Sequence, residues 1–186
     1  MKTIYIAIVA ALFSSVSSAQ NCNINQPDAQ YEGQLVDLEN GTILDVKTNL
    51  LWSKCTLGQT YDEANNSCSN DGATHFATWQ EALQATEVSA NTTIGAVTGF
   101  RLPNIKELGS IVNYQCIEPA IDHNFFPATE SEPYWTNTPD APRITNAGSV
   151  QINTNLNGLV INFENGEEFI NSGTDRILIR LVKDYQ

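Results

Sequence analysis

The four cysteines of this chain, Cys22, Cys55, Cys68 and Cys116, constrain its fold more than any other feature of the sequence. In an exported protein an even number of cysteines indicates disulfides, and four cysteines can pair in three ways. Cys55 and Cys68 flank a polar segment, so we expect a local bridge between them, and Cys22 with Cys116 follows by elimination. A zinc site is the alternative, which the absence of a Cys-x-x-Cys pair disfavours.

Export is predicted from the amino terminus. Lys2 precedes an apolar run over residues 4–13, and small residues follow up to Ala19. This order is typical of a secretory signal, here residues 1–19. An uncleaved anchor is the alternative, but the run is shorter than the ~20 residues of a membrane span. We therefore expect a periplasmic, secreted or cell-surface protein without a membrane span after cleavage.

The charge excludes several classes of partner. The 186 residues carry a formal net charge of -12, and no segment clusters Lys and Arg. Binding to a phosphate backbone or a sulfated polysaccharide needs such a cluster, so we predict no nucleic acid and no heparin-like polyanion as partners. With 41% apolar and 16% charged residues, the composition is that of one globular domain.

Short strands are predicted at both ends of that domain. Residues 34–45 have the pattern of a hairpin that turns at Asn40 and Gly41, since both residues tolerate the positive φ of a type I′ turn. A third strand is expected over residues 50–53. After residue 133, β-type runs separated by turn residues cover 134–138, 149–154, 158–163 and 177–182.

Two helices have clear start signals. Thr78 stands three residues before Glu81, and Asn104 three residues before Glu107, which is the spacing of a capping box. These signals predict helices over residues 79–86 and 105–113. The expected fold is α+β, with an amino-terminal arm over residues 20–33 and a single domain over residues 34–186.

Ordered motifs run through most of the chain. They are DxxTxLxW at 45–52, TWQEAL at 78–83, FRLPNIKEL at 100–108, PAID at 119–122, YWT at 134–136 and IRLV at 179–182. In this order they resemble the DUF1566 family, the carboxy-terminal domain named after a Legionella collagen-like adhesin. The resemblance implies an exported bacterial domain with a C-type-lectin-like, formylglycine-enzyme-like core, long loops and an adhesive or carbohydrate-binding role.

The motif residues have structural explanations. Trp52, Trp79 and Trp135 lie among apolar neighbours in predicted elements, so we expect them to pack in the core in preference to forming ligand platforms. Arg101 precedes Pro103 and a helix start, where its guanidinium could clamp Glu107 or loop carbonyls. We therefore assign these residues to the scaffold.

Candidate ligand-binding residues lie in and after the predicted strand at 134–138. In a lectin-like domain the loops there form the exposed ligand-facing region, and amide side chains suit sugar hydroxyls. The candidates are Trp135, Asn137, Asp140, Arg143 and Asn146.

One stretch has the spacing of an EF-hand calcium loop, namely Asn153, Asn155, Asn157, Gly158 and Glu164. Its first three side-chain positions are neutral amides, whereas calcium affinity in such loops needs carboxylates. A hairpin turning at Asn157 and Gly158 explains the same residues. We predict no metal and no cofactor.

These features together predict a non-catalytic exported binding module, either adhesin-like or an envelope accessory, for an unknown glycan or surface protein. An enzyme of the formylglycine-generating type is one alternative, but paired cysteines leave it no reactive thiol. A structural subunit of a surface appendage is another. The sequence places no nucleophile near His75 or His123, so no catalytic residue is predicted.

Overall fold

The computed structural model describes residues 20–23, 25, 26, 30–140, 143, 144, 150, 151, 157–171 and 176–186. The predicted signal and part of the predicted arm lie outside the described residues. So does the predicted ligand residue Asn146. No helix within the described residues has both the length and the apolar character needed to cross a membrane.

Antiparallel strands dominate the fold, and the helical part of the expected α+β fold is limited to two helices of 7 and 5 residues. The helices are α1 (Trp79–Ala85) and α2 (Ile105–Gly109). The strands are β1 (Asn21–Cys22), β2 (Leu35–Asp37), β3 (Thr42–Asp45), β4 (Leu50–Ser53), β5 (Tyr61–Asp62), β6 (Ser67–Cys68), β7 (Thr93–Ile94), β8 (Val97–Thr98), β9 (Cys116–Ile117), β10 (Pro133–Pro139), β11 (Arg143–Ile144), β12 (Val150–Gln151), β13 (Gly158–Asn162), β14 (Glu167–Ile170) and β15 (Val182–Asp184).

The strands form two larger sheets and several pairs. A four-stranded sheet has the order β15-β4-β3-β2 and brings together the two ends of the domain. A three-stranded sheet has the order β10-β13-β14. Elsewhere in the described residues, β1 pairs with β9, β5 with β6, β7 with β8 and β11 with β12.

Both predicted helix starts are present. Thr78 and Asn104 each accept a hydrogen bond from the backbone of the glutamate three residues later, and each glutamate accepts one back. The predicted end of the second helix was wrong, because α2 stops at Gly109 rather than at residue 113. Beyond it the chain tightens into turns with i→i−3 bonds, and Val112 then bridges Ile121.

The first hairpin is present, but its predicted turn type was wrong. Asp37 lies opposite Ile43, and the Leu38 amide donates to the Thr42 carbonyl, so the loop has three residues rather than two. Positive φ falls on Glu39 (54°) and Gly41 (84°), not on Asn40. Asn40 instead accepts a hydrogen bond from the Thr42 amide through its side chain.

The predicted strand over residues 177–182 is also shifted, since β15 begins only at Val182. The preceding residues bond to three different segments: Leu178 donates to Pro133, Ile179 accepts from Leu57, and Leu181 accepts from Ser53. No single partner strand runs alongside them. Strand β14 was not predicted, because its exposed acidic residues Glu167 and Glu168 hide its strand pattern.

The core consists of two apolar clusters that meet at strands buried on both faces. On β4, Trp52 points into one cluster and Leu51 into the other; on β10, Tyr134 and Trp135 divide in the same way. The alternation of side chains along a strand produces this division. It explains why these segments read as continuous apolar runs.

The two disulfides are those predicted. Cys55 bonds Cys68 over a sequence separation of 13, and Cys22 bonds Cys116 over a separation of 94. The long bridge lies where β1 pairs with β9, so it fastens the amino-terminal strand to the domain.

Candidate functional site

A cleft with a volume of about 330 Å³ lies between the loop closed by the Cys55–Cys68 disulfide and the β7–β8 hairpin. We call it the Tyr61 cleft. Its lining residues are Gly41, Ser53, Cys55, Thr56, Leu57, Gly58, Gln59, Tyr61, Ala90, Asn91, Thr93, Ile94, Gly95 and Leu181.

The first wall, formed by the disulfide-closed loop, is fixed by internal hydrogen bonds. Gln59 accepts from the Thr56 amide and donates to the Ala128 carbonyl, both at 2.9 Å. Gly58, with φ of +96°, lies so close to a neighbouring loop that an added Cβ would stand 2.3 Å from the Gly72 carbonyl oxygen. Only glycine fits this approach, which holds the loop in place.

Tyr61 is held by a buried polar network behind the cleft. The Tyr61 hydroxyl donates to the Asn66 Oδ1 atom at 2.7 Å. The Lys54 ammonium donates to the same Asn66 Oδ1 atom at 2.6 Å. Lys54 is 1% exposed and forms an ion pair with Asp37. Burial raises the pKa of Asp37, but hydrogen bonds from Lys54, the Glu39 amide and Asn66 outweigh it and hold that pKa below its usual value.

Burial and the neighbouring Asp37 charge raise the pKa of the Tyr61 phenol above its usual range. The phenol is therefore neutral at physiological pH. It keeps acceptor capacity on its oxygen after donating to Asn66.

The second wall follows α1. The Asn91 side chain donates to the Ala85 carbonyl at 2.9 Å, and the Thr93 hydroxyl donates to the Ser89 carbonyl at 2.7 Å. Within the described residues the Asn91 Oδ1 atom accepts no hydrogen bond. Ala90 and Thr93 are exposed at the mouth of the cleft.

Below the floor of the cleft lies Arg180, whose side chain is fully buried. It donates to the Ser53 and Lys54 carbonyls and to the hydroxyls of Thr56 and Thr129. Burial lowers the pKa of Arg180. Its hydrogen bonds run only to neutral acceptors, so they fix the backbone under the cleft. Arg180 was not among the predicted residues, although a single charge inside the apolar run 177–182 was a sequence signal for it.

Tyr134 is also fully buried beneath the cleft. Its hydroxyl lies 2.9 Å from the Thr56 hydroxyl, and its ring centroid lies 5.9 Å from the Arg180 guanidinium. Burial raises the pKa of Tyr134. Thr56 thus connects the cleft surface to the buried arginine and tyrosine.

Among the described residues, none of those predicted to bind ligand lines the Tyr61 cleft. The core interpretation of Trp135 is confirmed, because the residue is 1% exposed and packs in a core cluster, and its alternative assignment as a ligand-binding residue was wrong. Asn137 is exposed on β10 and Asp140 is half-buried after it, and neither lines the Tyr61 cleft. Arg143 contributes the backbone of β11, and Asn146 lies outside the described residues.

The motif residues assigned to the scaffold pack and bond within it. Arg101 donates to both carboxylate oxygens of Glu107 at 2.8 and 2.9 Å, and also reaches Asp184 on β15 at 3.3 Å. Trp52 is fully buried, and the Trp79 indole donates to the Thr136 carbonyl. Pro103 accepts from the Asn137 amide, which joins the α2 start to β10.

The predicted hairpin turn at Asn157 and Gly158 was wrong. Gly158 begins β13 opposite Pro139 and has no positive φ. It is a glycine because an added Cβ would stand 2.3 Å from the Trp79 ring. Asn153 and Asn155 of the calcium-like stretch lie outside the described residues.

His75 lies in a cluster with Glu130 and Glu132, whose potential ligand atoms are within 4.8 Å of one another. His75 Nε2 is 3.0 Å from Glu132, and an Arg176 nitrogen is 3.2 Å from the same ring atom. The Arg176 guanidinium therefore lies beside the imidazole of this cluster. His123 is half-buried, and burial lowers its pKa.

The family of the chain follows from comparison with known proteins. Comparison with curated proteins and with solved structures gives no significant match. The family model of the Lcl C-terminal domain matches residues 41–183, which include both helices, the Cys55–Cys68 disulfide and every lining residue of the Tyr61 cleft. The chain therefore belongs to the Lcl C-terminal domain family.

Proposed function

We propose that this protein is an exported, non-catalytic binding module of the bacterial envelope, adhesin-like or an accessory, that holds a glycan or protein ligand in the Tyr61 cleft. The observation that carries the proposal is that side chains of both cleft walls are hydrogen-bonded within the protein. Gln59, Tyr61 and Asn91 are each held by hydrogen bonds within the protein. A site that is already ordered loses little conformational entropy when its ligand binds.

An extracellular location fits two findings. The described cysteines are all paired in disulfides, which persist in oxidising compartments, and the chain belongs to the Lcl C-terminal domain family. Both support an exported module over a cytoplasmic one.

The enzyme alternative of the formylglycine-generating type needs a reactive thiolate. Cys55 lines the cleft, but its sulfur is bonded to Cys68, so such chemistry would first require reduction of that disulfide. A binding module without catalytic activity does not require reduction of the disulfide. We therefore favour the binding module over the enzyme and over a purely structural subunit.

We also propose a C-type-lectin-like fold. The four-stranded sheet supports this proposal, because β15 from the end of the chain pairs with β4, next to β3 and β2. The chain between β4 and β15 therefore leaves this sheet and returns to it, and the Cys55–Cys68 disulfide closes one of its loops. An experimental structure tests this, and a sheet in which β15 does not pair with β4 would contradict it.

The function is tested with variants at the mouth of the cleft. Ala90→Trp adds a large side chain at an exposed lining position, and Val88→Trp makes the same change two residues away, where Val88 is 50% exposed and outside the lining. Screening the protein, produced with its own amino terminus in a bacterial periplasm, against arrays of glycans and extracellular proteins should give a ligand. Binding should be lost in Ala90→Trp and kept in Val88→Trp. Equal binding by both variants would place the ligand elsewhere.

A further inference from the structure

We infer that the Tyr61 cleft takes an uncharged, polyhydroxylated ligand, which is a free neutral sugar or the end of a neutral glycan chain. This inference rests on the proposed function, because it names the ligand class of the same cleft. Charge, hydrogen-bonding capacity, apolar surface and size each support it.

The lining offers no counter-charge to a charged ligand. Tyr61 is the one ionisable side chain among the lining residues, and its raised pKa keeps the phenol neutral. Behind the cleft, the Lys54 ammonium is already paired with Asp37. The Arg180 guanidinium is fully buried and does not reach the cleft surface. A carboxylate or sulfate in the cleft would lose hydration without gaining an ion pair, which costs free energy.

The charge of the whole molecule acts in the same direction. A formal net charge of -12 opposes the approach of anionic ligands at low salt. An uncharged ligand is not subject to this repulsion. The net charge of the molecule and the lining of the cleft therefore both disfavour anionic ligands.

The polar groups of the cleft suit hydroxyl groups. The Asn91 Oδ1 atom is an acceptor without a protein donor among the described residues. The exposed Thr93 hydroxyl donates its proton to the Ser89 carbonyl, so it adds a second acceptor. Hydroxyl donors on a ligand satisfy these acceptors without introducing charge.

The rest of the lining is apolar. Leu57, Ile94 and Leu181 contribute aliphatic surface, and Tyr61 contributes its ring. A sugar ring has C–H faces that pack on such surface and hydroxyls at its edge that bond to the polar groups. The volume of about 330 Å³ lies at the lower end of the range for small-molecule sites, roughly 300–1,000 Å³. A single ring or a chain end fits that size better than an extended polymer.

The experiment measures binding by calorimetry with named probes. The neutral probes are glucose, N-acetylglucosamine, maltopentaose, cellopentaose and chitotetraose, and the charged probes are hexagalacturonate and a heparin hexasaccharide. At least one neutral probe should bind. Its affinity should change less than about twofold between low and high salt, because salt screens interactions between charges and a neutral probe carries no charge. Binding of a monosaccharide identifies a free sugar as sufficient, whereas binding of oligosaccharides alone identifies a chain end.

Variants locate that binding in the cleft. Ala90→Trp and Thr93→Trp, both at exposed lining positions, should weaken it by about tenfold or more, while Val88→Trp should leave it within about twofold. Melting curves check that all three variants fold as the parent does.

Other outcomes overturn the inference. Charged probes that bind in the cleft while neutral probes do not would show the ligand class to be wrong and leave the binding module intact. A neutral probe that binds equally to both blocked variants would show the location to be wrong. The absence of binding to every neutral probe also contradicts the inference, whether or not a protein ligand is found by the array.

Discussion

Glu107 has two roles in one side chain, because it closes the capping box of α2 and accepts both hydrogen bonds of the Arg101 clamp. Burial raises the pKa of Glu107, but Arg101 and the Asn104 amide outweigh it, and the net pKa shift is downward. A carboxyl group with a lowered folded-state pKa stabilises the protein above its unfolded pKa of about 4.3 and loses that contribution as pH falls through the folded value.

We therefore expect Glu107→Gln to lower the free energy of unfolding at pH 7 by about 1–3 kcal/mol, since hydrogen bonds to charged groups contribute about that much. The difference from the parent should shrink as pH falls below about 4. Urea unfolding at pH 7, 4 and 3 measures it, with the exposed Glu87→Gln as control. A constant difference at all three pH values would contradict the role of the charge.

Gly158 is constrained by its neighbour rather than by its own backbone. An added Cβ would stand 2.3 Å from Trp79, whereas an added Cβ at Gly109 would meet Ile161 at an ordinary 3.7 Å. Gly158→Ala should therefore lower the free energy of unfolding by about 1–3 kcal/mol through overpacking. Gly109→Ala, at the end of α2, should change it by less than about 1 kcal/mol. Equal melting temperatures for the two variants would show that Trp79 moves away without cost.

Among the elements, the two disulfides should separate stability from binding. In the chain-entropy model the bridge with a separation of 94 contributes about 4–5 kcal/mol and the bridge with a separation of 13 about 3 kcal/mol. Cys22→Ser with Cys116→Ser should therefore cost more stability. Cys55→Ser with Cys68→Ser should cost less stability but should abolish binding at the Tyr61 cleft, because that loop forms one wall.

Chemical denaturation and calorimetry of both double variants measure these effects. Binding that survives without the Cys55–Cys68 bridge, at a temperature where the variant is folded, would show that the hydrogen bonds and packing of the loop hold the wall without the disulfide.

Local signals made some elements predictable. A capping box depends on residues three apart, and a short disulfide on residues 13 apart, so the starts of α1 and α2 and the Cys55–Cys68 bridge could be predicted from the sequence. The end of α2 could not be, because the bridge between Val112 and Ile121 is a tertiary contact. The strand at 177–182 failed for the same reason, since its residues bond to three separate segments.

The Tyr61 cleft could not be predicted from the sequence for a related reason. The Tyr61 cleft joins a loop near residue 58 to a hairpin near residue 94, and no sequence spacing relates the two. Its residues are glycines, hydroxyls and amides, which in a sequence look like ordinary turn formers. Trp135 could be assigned to the core from its apolar neighbours, and the structure buries it.

For the whole molecule, burial reduces the basic surface further than the net charge suggests. Of the nine Lys and Arg residues, Lys54 and Arg180 are buried and Arg101 is paired with two carboxylates. We expect the protein to pass through a heparin column unretained at low salt, where attraction to a polyanion would be strongest. A basic homologous domain would serve as the positive control. Retention that is lost on replacing Arg143 or Arg101 would reveal a basic pocket and contradict this prediction.

The bridge between Cys22 and Cys116 also has a mechanical consequence. A two-residue strand such as β1 would peel away from β9 under a small pulling force, because its few hydrogen bonds would break one after another. The covalent bond instead carries a pull applied at residue 22 directly to Cys116, a buried residue of β9. A pull applied at residue 22 thus bypasses the short pairing of β1 with β9. The pull loads the body of the domain, so residue 22 and the Tyr61 cleft are coupled through covalent bonds and packed core rather than through a frayed strand.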